Sequence, residues 1–284
     1  MSDATYAPPV SVHLITWGKD FKTGLKEAAE LGYTACETFT HIALEYEDNL
    51  GEFKDLLASN GFTLSALYGG GRFSDPAKRD DVIEYNTRVA RFLVANGADR
   101  IVFGPSGPRT EGGMTLDELK EAAKTIDAAA KACYDLGVLA CVHPHLWTEI
   151  ETRREIDVIM GETNPDYVFF APDTAHLYRA GMDPVDVMSA YKDRIRYVHL
   201  KDVTPDEPDM SKFTAFTGTE QLPVFCELGL GPVDFDAVMA FLKSMDYQGW
   251  LTVEIDKSTS TPMNSLRICR DFMEEELGIP IRGR

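Results

Sequence analysis

Positive charge is scarce in this chain: 28 lysines and arginines stand against 46 acidic residues, a formal net charge of −18 over 284 positions. A surface of that sign repels phosphate backbones and anionic headgroups, so neither nucleic acid nor a membrane is an expected partner. Long apolar runs are missing too, and nothing approaches the roughly 20 residues that span a bilayer. The opening MSDATYAPPV carries no basic flank followed by an apolar stretch, the mark of a secretory leader, and a cytoplasmic protein is expected. Cysteine is thin and scattered: Cys36, Cys133, Cys141, Cys226 and Cys269 never form a C-x-x-C pair. That argues against a thiolate metal knuckle or a disulfide framework, leaving buried free thiols. A G-x-G-x-x-G loop is also absent after the first apolar run, which ends TWGKD, so an open nucleotide-binding sheet is disfavoured.

What the chain does contain is a repeated unit. Eight short β-branched or aromatic runs alternate with helical patterns: 11–17, 34–40, 63–69, 100–105, 138–145, 167–173, 195–202 and 250–256. Several helical patterns stop on a glycine just before the next run (AELGY, ASNGF, VANGA, YDLGV, DYQGW), as a left-handed helix C-terminus requires. Asp75, Thr115 and Asp234 are candidate N-caps. Eight β-then-α units in a chain of this length predict an α/β protein, one (β/α)₈ TIM barrel spanning 1–284 as a single domain. The one long connection, 203–233, is expected to hang over the catalytic face as a lid or substrate wall.

Catalytic residues of such barrels sit at the C-terminal ends of the strands. All six histidines fall in or just after a strand candidate, and none is expected in a helix: His13, His41, His143, His145, His176 and His199. Glu37, Asp173 and Glu254 join them inside otherwise apolar runs, where a carboxylate costs several kcal/mol without a partner. Asp173, His199 and Glu254, from three successive strands, could share a divalent cation, with His143 completing the set. Mixed nitrogen and carboxylate donors suit Mn²⁺, Fe²⁺, Co²⁺ or Zn²⁺, with Mg²⁺ less favoured.

Three segments, APDTAHLYRAGMDP, YKDRIRYVHLKDV and DYQGWLTVEID, resemble the xylose-isomerase-like barrel superfamily of sugar isomerases, epimerases and inosose dehydratases. The similarity covers nearly the whole chain and is closest to the inosose dehydratase branch. It implies metal ligation by Glu, Asp, His and a final Glu, which fall on His143, Asp173, His199 and Glu254. His143 stands where the superfamily has Glu, and His145 or Glu149 are the alternatives for that place. Mn²⁺ is the first-choice ion. Trp147 stands where related sequences usually have a small glycine, which leaves the particular substrate open. The superfamily's abasic-site endonucleases hold several zinc ions with extra histidines; the long loop here has no second cluster, and the charge is wrong for DNA.

The resemblance further implies a polyhydroxy ketone bound through its carbonyl and a neighbouring hydroxyl. Polarising the carbonyl makes the adjacent C–H acidic, gives an enediolate and, in a dehydratase, expels a β-hydroxyl. The expected catalytic residues are His145, placed by strand alternation on the side of His143, Lys201, which could instead pair with Asp202 or Glu227, and Glu37, for proton transfer, a sugar contact or structure. His176, Trp17 and Trp147 are the expected substrate contacts, with Tyr68, Phe103 and Phe216 as further stacking candidates. Arg72, Arg79 and Arg109 have no phosphate loop beside them, so an unphosphorylated substrate is favoured. A keto-inositol or keto-sugar dehydratase is the leading expectation. The alternatives are a ketose isomerase or epimerase, using Glu149 or Glu151 with Glu254, a lyase of 3-keto-glycosides including C-glycosides, and a non-enzymatic sugar-binding barrel. Assembly as a homo-oligomer or with a partner subunit is open.

Overall fold

The computed structural model describes residues 6–214, 216 and 221–281. Its strands are β1 (Val10–His13), β2 (Ala35–Phe39), β3 (Thr63–Gly71), β4 (Arg100–Pro105), β5 (Leu139–Val142), β6 (Val168–Phe170), β7 (Tyr197–Leu200), β8 (Asp202–Val203), β9 (Phe225–Cys226) and β10 (Trp250–Val253). Eight of them pair in parallel in the order β6-β5-β4-β3-β2-β1-β10-β7. The seam between β6 and β7 is drawn together by bridges Phe170–Ile195 and Asp173–His199. The chain is thus a (β/α)₈ barrel, as the alternating pattern predicts. The pair β8–β9 forms a separate antiparallel ribbon inside the long connection.

The helices are α1 (Phe21–Glu30), α2 (Thr40–Ala43), α3 (Leu50–Ser59), α4 (Arg79–Ala95), α5 (Leu116–Tyr134), α6 (Arg153–Glu162), α7 (Thr174–Arg179), α8 (Pro184–Ala190), α9 (Phe235–Ser244) and α10 (Pro262–Asp271). Thr115 opens α5 with a capping box, and Asp234 caps α9 through Ala237 N. Asp75 caps a single tight turn, Pro76–Lys78, ahead of α4 rather than α4 itself. Gly32, Gly61, Gly97 and Gly137 adopt the positive φ expected after a helix, but in DYQGW that role passes to Asp246, at φ 50. Two histidines do lie in helices, contrary to expectation: His41 in α2 and His176 in α7.

Strand alternation sorts the side chains into two layers. One apolar set lies between strands and helices and includes Val10, Val12, Leu64, Leu67, Ile101, Phe103, Val198 and Leu251. A second cluster, Ala35, Ala66, Val102, Cys141, Phe169, Ala171, Tyr197 and Trp250, comes from the alternate positions and fills the barrel interior. Here small side chains offset large rings, as a filled barrel demands. Among these inward residues a hydroxyl chain runs from Ser11 to Ser65 (2.6 Å) and on to Tyr197 (2.9 Å). Stepping two residues along several of these strands leads from the apolar set to the polar one.

The long connection is anchored at its base. Asp202, fully buried, accepts backbone N–H groups from Val203 (2.8 Å), Gly229 (3.0 Å), Gly231 (2.9 Å) and Val233 (3.2 Å). A side chain on Gly231 would collide with that carboxylate. The lid expected over 203–233 therefore starts from a fixed neck, while positions 215 and 217–220 of it lie outside the described residues.

Candidate metal centre

Six inward strand-end residues converge: His13 from β1, Glu37 from β2, His143 after β5, Asp173 after β6, His199 from β7 and Glu254 after β10. Each follows an inward neighbour by two positions: Ser11, Ala35, Cys141, Ala171, Tyr197 and Thr252. All six are buried, with Glu254 the most exposed at 4%. His143, Asp173 and His199 offer donor atoms that lie within 4.8 Å of one another.

Each of four side chains has one polar atom tied to its surroundings and one turned toward the other three. His143 Nδ1 is 3.2 Å from the Ala171 carbonyl; a carbonyl only accepts, so Nδ1 carries the proton and Nε2 keeps a lone pair. Asp173 Oδ1 caps α7, accepting from Ala175 N and His176 N at 2.8 Å each. His199 Nε2 lies 2.7 Å from Glu37 Oε2. Glu254 Oε1 accepts from Lys201 Nζ at 3.0 Å. The other atoms, His143 Nε2, Asp173 Oδ2, His199 Nδ1 and Glu254 Oε2, are buried without a hydrogen-bond partner among the described residues. Glu254 Oε2 nevertheless sits 2.7 Å from His199 Nδ1, and Asp173 Oδ2 sits 3.9 Å from it. An orphaned buried polar atom costs about 1–3 kcal/mol; His143 Nε2 and Asp173 Oδ2 are such atoms, and with the His199–Glu254 pair they make a donor set of two nitrogens and two oxygens. That set fits a divalent transition ion.

The electrostatics agree. Four carboxylates, Glu37, Asp173, Glu254 and Asp256, are tied to this cluster with one lysine ammonium among them. Burial pushes Asp173 up to about 7, against the pull of Lys201. Burial also opposes charge on His199, but Glu37 and Glu254 outweigh it and hold the imidazole well above its ordinary value. For His143 burial dominates, helped by His199 and His145, and keeps the ring neutral. Lys201 is fully buried and lies 2.5 Å from Asp256 Oδ1 and 4.3 Å from the centroid of Phe225. Glu254, Asp256 and Asp173 overcome its burial and raise it above the ordinary lysine value.

Beside this group lies His145. Its strand ends at Val142 rather than 145, because Pro144 cannot donate to the ladder. The ring still reaches the same pocket, its centroid 5.9 Å from that of His143 and 3.7 Å from that of His176, tilted 38° to the latter. Its Nδ1 faces the Leu146 carbonyl at 2.8 Å, so Nε2 is the lone-pair nitrogen. Burial, then Lys201, lowers its pKa, which favours a neutral base.

Other expected residues are placed differently. Lys201 pairs with Glu254 and Asp256, not with Asp202 or Glu227. Glu227 instead accepts from Thr259 Oγ1 at 2.5 Å. Both oxygens of Glu149 accept loop amides, from Phe73 N (2.6 Å) and Ser74 N (3.2 Å), which ties it to the loop after β3. Glu151 Oε2 accepts from Trp147 N at 2.5 Å. Trp17 donates its indole N–H to Glu27 at 2.7 Å and lies over Gly24 of α1, an engagement with helix rather than substrate. His176 has both nitrogens engaged, by Leu146 N (3.3 Å) and Lys201 Nζ (3.2 Å). Phe103 belongs to the strand–helix core, Phe216 lines a cavity with Met210 and Val224, and Tyr68 meets His13 and His143 edge-on. Arg79 binds Glu121 (2.5 Å) and Arg109 binds Glu155 (2.7 Å), while Arg72 lies 3.8 Å from Glu149.

Trp147 is 54% exposed and holds φ 65, a left-handed backbone natural to glycine. The residues without an expected role are His13, Asp256 and Phe225. Asp256 was legible in principle, two positions past Glu254; Phe225 arrives from the long connection and had no local signal.

A family model described as a xylose isomerase-like TIM barrel matches residues 25–275. The inosose dehydratase of Geobacillus kaustophilus (strain HTA426) is 29% identical over 266 residues, 88% of this chain and 85% of that protein. Among solved structures, the IolI protein with a bound zinc atom superposes with a TM-score of 0.74 at 17% identity, covering 94% of this chain and 97% of that one. D-Allulose 3-epimerase from Methylomonas sp. gives 0.74 at 19% identity, covering 95% and 98%. No described helix is long and apolar enough to cross a membrane.

Proposed function

The chain belongs to the xylose isomerase-like TIM barrel family, and from that premise we propose that it is a divalent-metal-dependent lyase removing water from a keto-inositol or keto-sugar. The observation that carries the reading is the set of four buried donor atoms on His143, Asp173, His199 and Glu254 that face one another, two of them with no partner at all. A dehydratase name on a relative aligned over most of both chains points the same way. Two nitrogens and two oxygens favour Mn²⁺, Co²⁺, Zn²⁺ or Fe²⁺ over Mg²⁺, with Mn²⁺ the first candidate. When bound, the ion would supply Lewis-acid polarisation of the substrate ketone.

The residues then divide the proton work. His145 Nε2, a neutral lone pair in the pocket, takes the proton from the carbon beside the ketone. Lys201 brings a fixed positive charge to the region where negative charge develops on the substrate. The β-hydroxyl leaves as water with a proton from Lys201, whose ammonium Glu254 and Asp256 hold charged beforehand. Phe225 covers Lys201 and His176, which limits water around them.

An epimerase needs acid/base groups on both faces of one carbon. The carboxylates considered for that role, Glu149 and Glu151, are occupied by backbone amides, and this favours the lyase. A lyase of 3-keto-glycosides is the second reading; the exposed Trp147 indole, 6.2 Å from Phe225, would suit a substrate bearing an apolar leaving group. The test is metal analysis of purified protein, followed by a panel of keto-inositols, free ketoses and 3-keto-glycosides in D₂O. Water loss from a keto-inositol or keto-sugar supports the first reading. Deuterium uptake without elimination would point to an epimerase, and absence of metal with no rescue by Mn²⁺ removes the mechanism.

A further inference from the structure

Glu37 was expected to move a proton or hold a sugar hydroxyl, but its surroundings give it another task. It is fully buried behind His199, and its closest hydrogen-bonding contact is Oε2 to His199 Nε2 at 2.7 Å. A carboxylate can only accept here, so Nε2 must carry the proton. A neutral imidazole has one N–H and one lone pair; fixing the proton on Nε2 leaves the lone pair on Nδ1. Nδ1 faces Asp173 Oδ2 and, at 2.7 Å, Glu254 Oε2; without a cation that contact holds a second proton on the ring, and a cation at Nδ1 takes that proton's place while Glu37 keeps the one on Nε2. Behind Glu37 stands His13, its register partner across β1 and β2. His13 Nδ1 accepts from Ile15 N at 3.0 Å, so its Nε2 also carries the proton when neutral. That Nε2 lies 3.9 Å from Glu37 Oε1.

We propose that Glu37 is a positioning residue for the cation site: it holds the proton on His199 Nε2 and so leaves Nδ1 to the metal. The proposal rests on the metal-dependent reading above. It deepens that reading by assigning the inner end of the site to holding a ligand rather than to chemistry on substrate. An outer carboxylate that orients a ligating imidazole and raises its basicity typically accounts for roughly 10–100-fold in metal affinity.

The test starts with metal-stripped wild type titrated with Mn²⁺, followed by Glu37→Gln and Glu37→Asp. Gln keeps the shape but lacks the charge; Asp keeps the charge but is one methylene short. Wild type should bind one Mn²⁺, and both variants should bind it roughly 10–100-fold more weakly, with the metal-free variants still folded by circular dichroism. Wild-type Mn²⁺ affinity in Glu37→Gln with turnover alone lost would make Glu37 a proton-transfer residue and overturn the proposal. Failure of wild type to bind any divalent cation would instead sink the metal-dependent reading on which it depends. Should the variants fold poorly, ¹⁵N-resolved imidazole spectra of Zn²⁺-loaded wild type decide the matter. A proton on His199 Nε2 supports the assignment, and one on Nδ1 refutes it.

Discussion

Affinity for a divalent cation should rise steeply between pH 6 and pH 8, because two of the four donors must shed protons to bind. In the metal-free protein burial pushes Asp173 up to about 7, and Glu37 with Glu254, outweighing burial, holds His199 well above its ordinary value. Burial keeps His143 deprotonated, and Lys201 with His199 overcomes burial to keep Glu254 ionised; neither has a proton to lose in this window. A displaced proton weakens apparent affinity by up to tenfold per pH unit below the group's folded pKa. Over two units Asp173 contributes roughly tenfold and His199 up to roughly a hundredfold, together on the order of a thousandfold or ~4 kcal/mol. Stability of the metal-free protein should move the other way. Both raised groups bind protons more tightly folded than unfolded, so their contribution is fully present below their unfolded pKa values and lost as pH climbs through the folded ones. Glu254, depressed, loses its contribution only in acid well below this range. Calorimetric Mn²⁺ titrations at pH 6, 7 and 8 in two buffers of different ionisation enthalpy count the released protons, with thermal melts in parallel. A flat affinity with no proton release would refute Asp173 and His199 as donors.

Three further perturbations separate roles within the site. His145→Ala should keep its metal while losing about 10²–10⁴-fold in turnover, whereas Asp173→Ala should lose both; a fully active His145→Ala places the base elsewhere. Glu149→Ala strips the acceptor from the Phe73 and Ser74 amides and should cost about 2–4 kcal/mol of stability with metal stoichiometry unchanged; loss of metal without loss of stability would return Glu149 to the ligand set. Trp147→Gly relieves a left-handed tryptophan and should raise stability by about 1 kcal/mol. A rise in KM alongside would place the indole on the substrate, and a drop in the melting temperature would show that the ring is held by contacts stronger than the strain.

Much of the barrel was legible because its signals are local. A glycine after a helix and a two-residue alternation each act within a few positions, and both survive in the structure at Gly32, Gly61, Gly97 and Gly137 and along β1, β2, β7 and β10. Local signals fail where a neighbouring element decides. Pro144 ends β5 early, yet His145 reaches the pocket through the loop and its close contact with the His176 ring. Trp17 looked like a strand-end aromatic, but the first strand closes at His13 and the indole turns onto α1. Lys201 had charged neighbours in sequence, Asp202 beside it; Asp202 was already claimed by four loop amides, and the partners came from β10 instead.

The four proposed donors were readable for a reason their supporting partners were not. A ligand must be an unusual residue at an inward strand end, and that is a property of one position. Its supporter need only offer a proton or an acceptor, and here the supporters are the Ala171 carbonyl, two amides at the start of α7, Glu37 from the opposite wall and Lys201 from the next strand. No spacing rule links those to their ligands, because three of the four kinds of contact cross between elements. Yet they decide which atom of each donor is free, and so convert four polar side chains into a site with one open point. If that is the organising principle, Lys201→Met should do more than remove a charge near the substrate. With Glu254 Oε1 released, the carboxylate can turn, so Mn²⁺ affinity should fall along with turnover; retention of full affinity would mean that Lys201 serves the substrate alone.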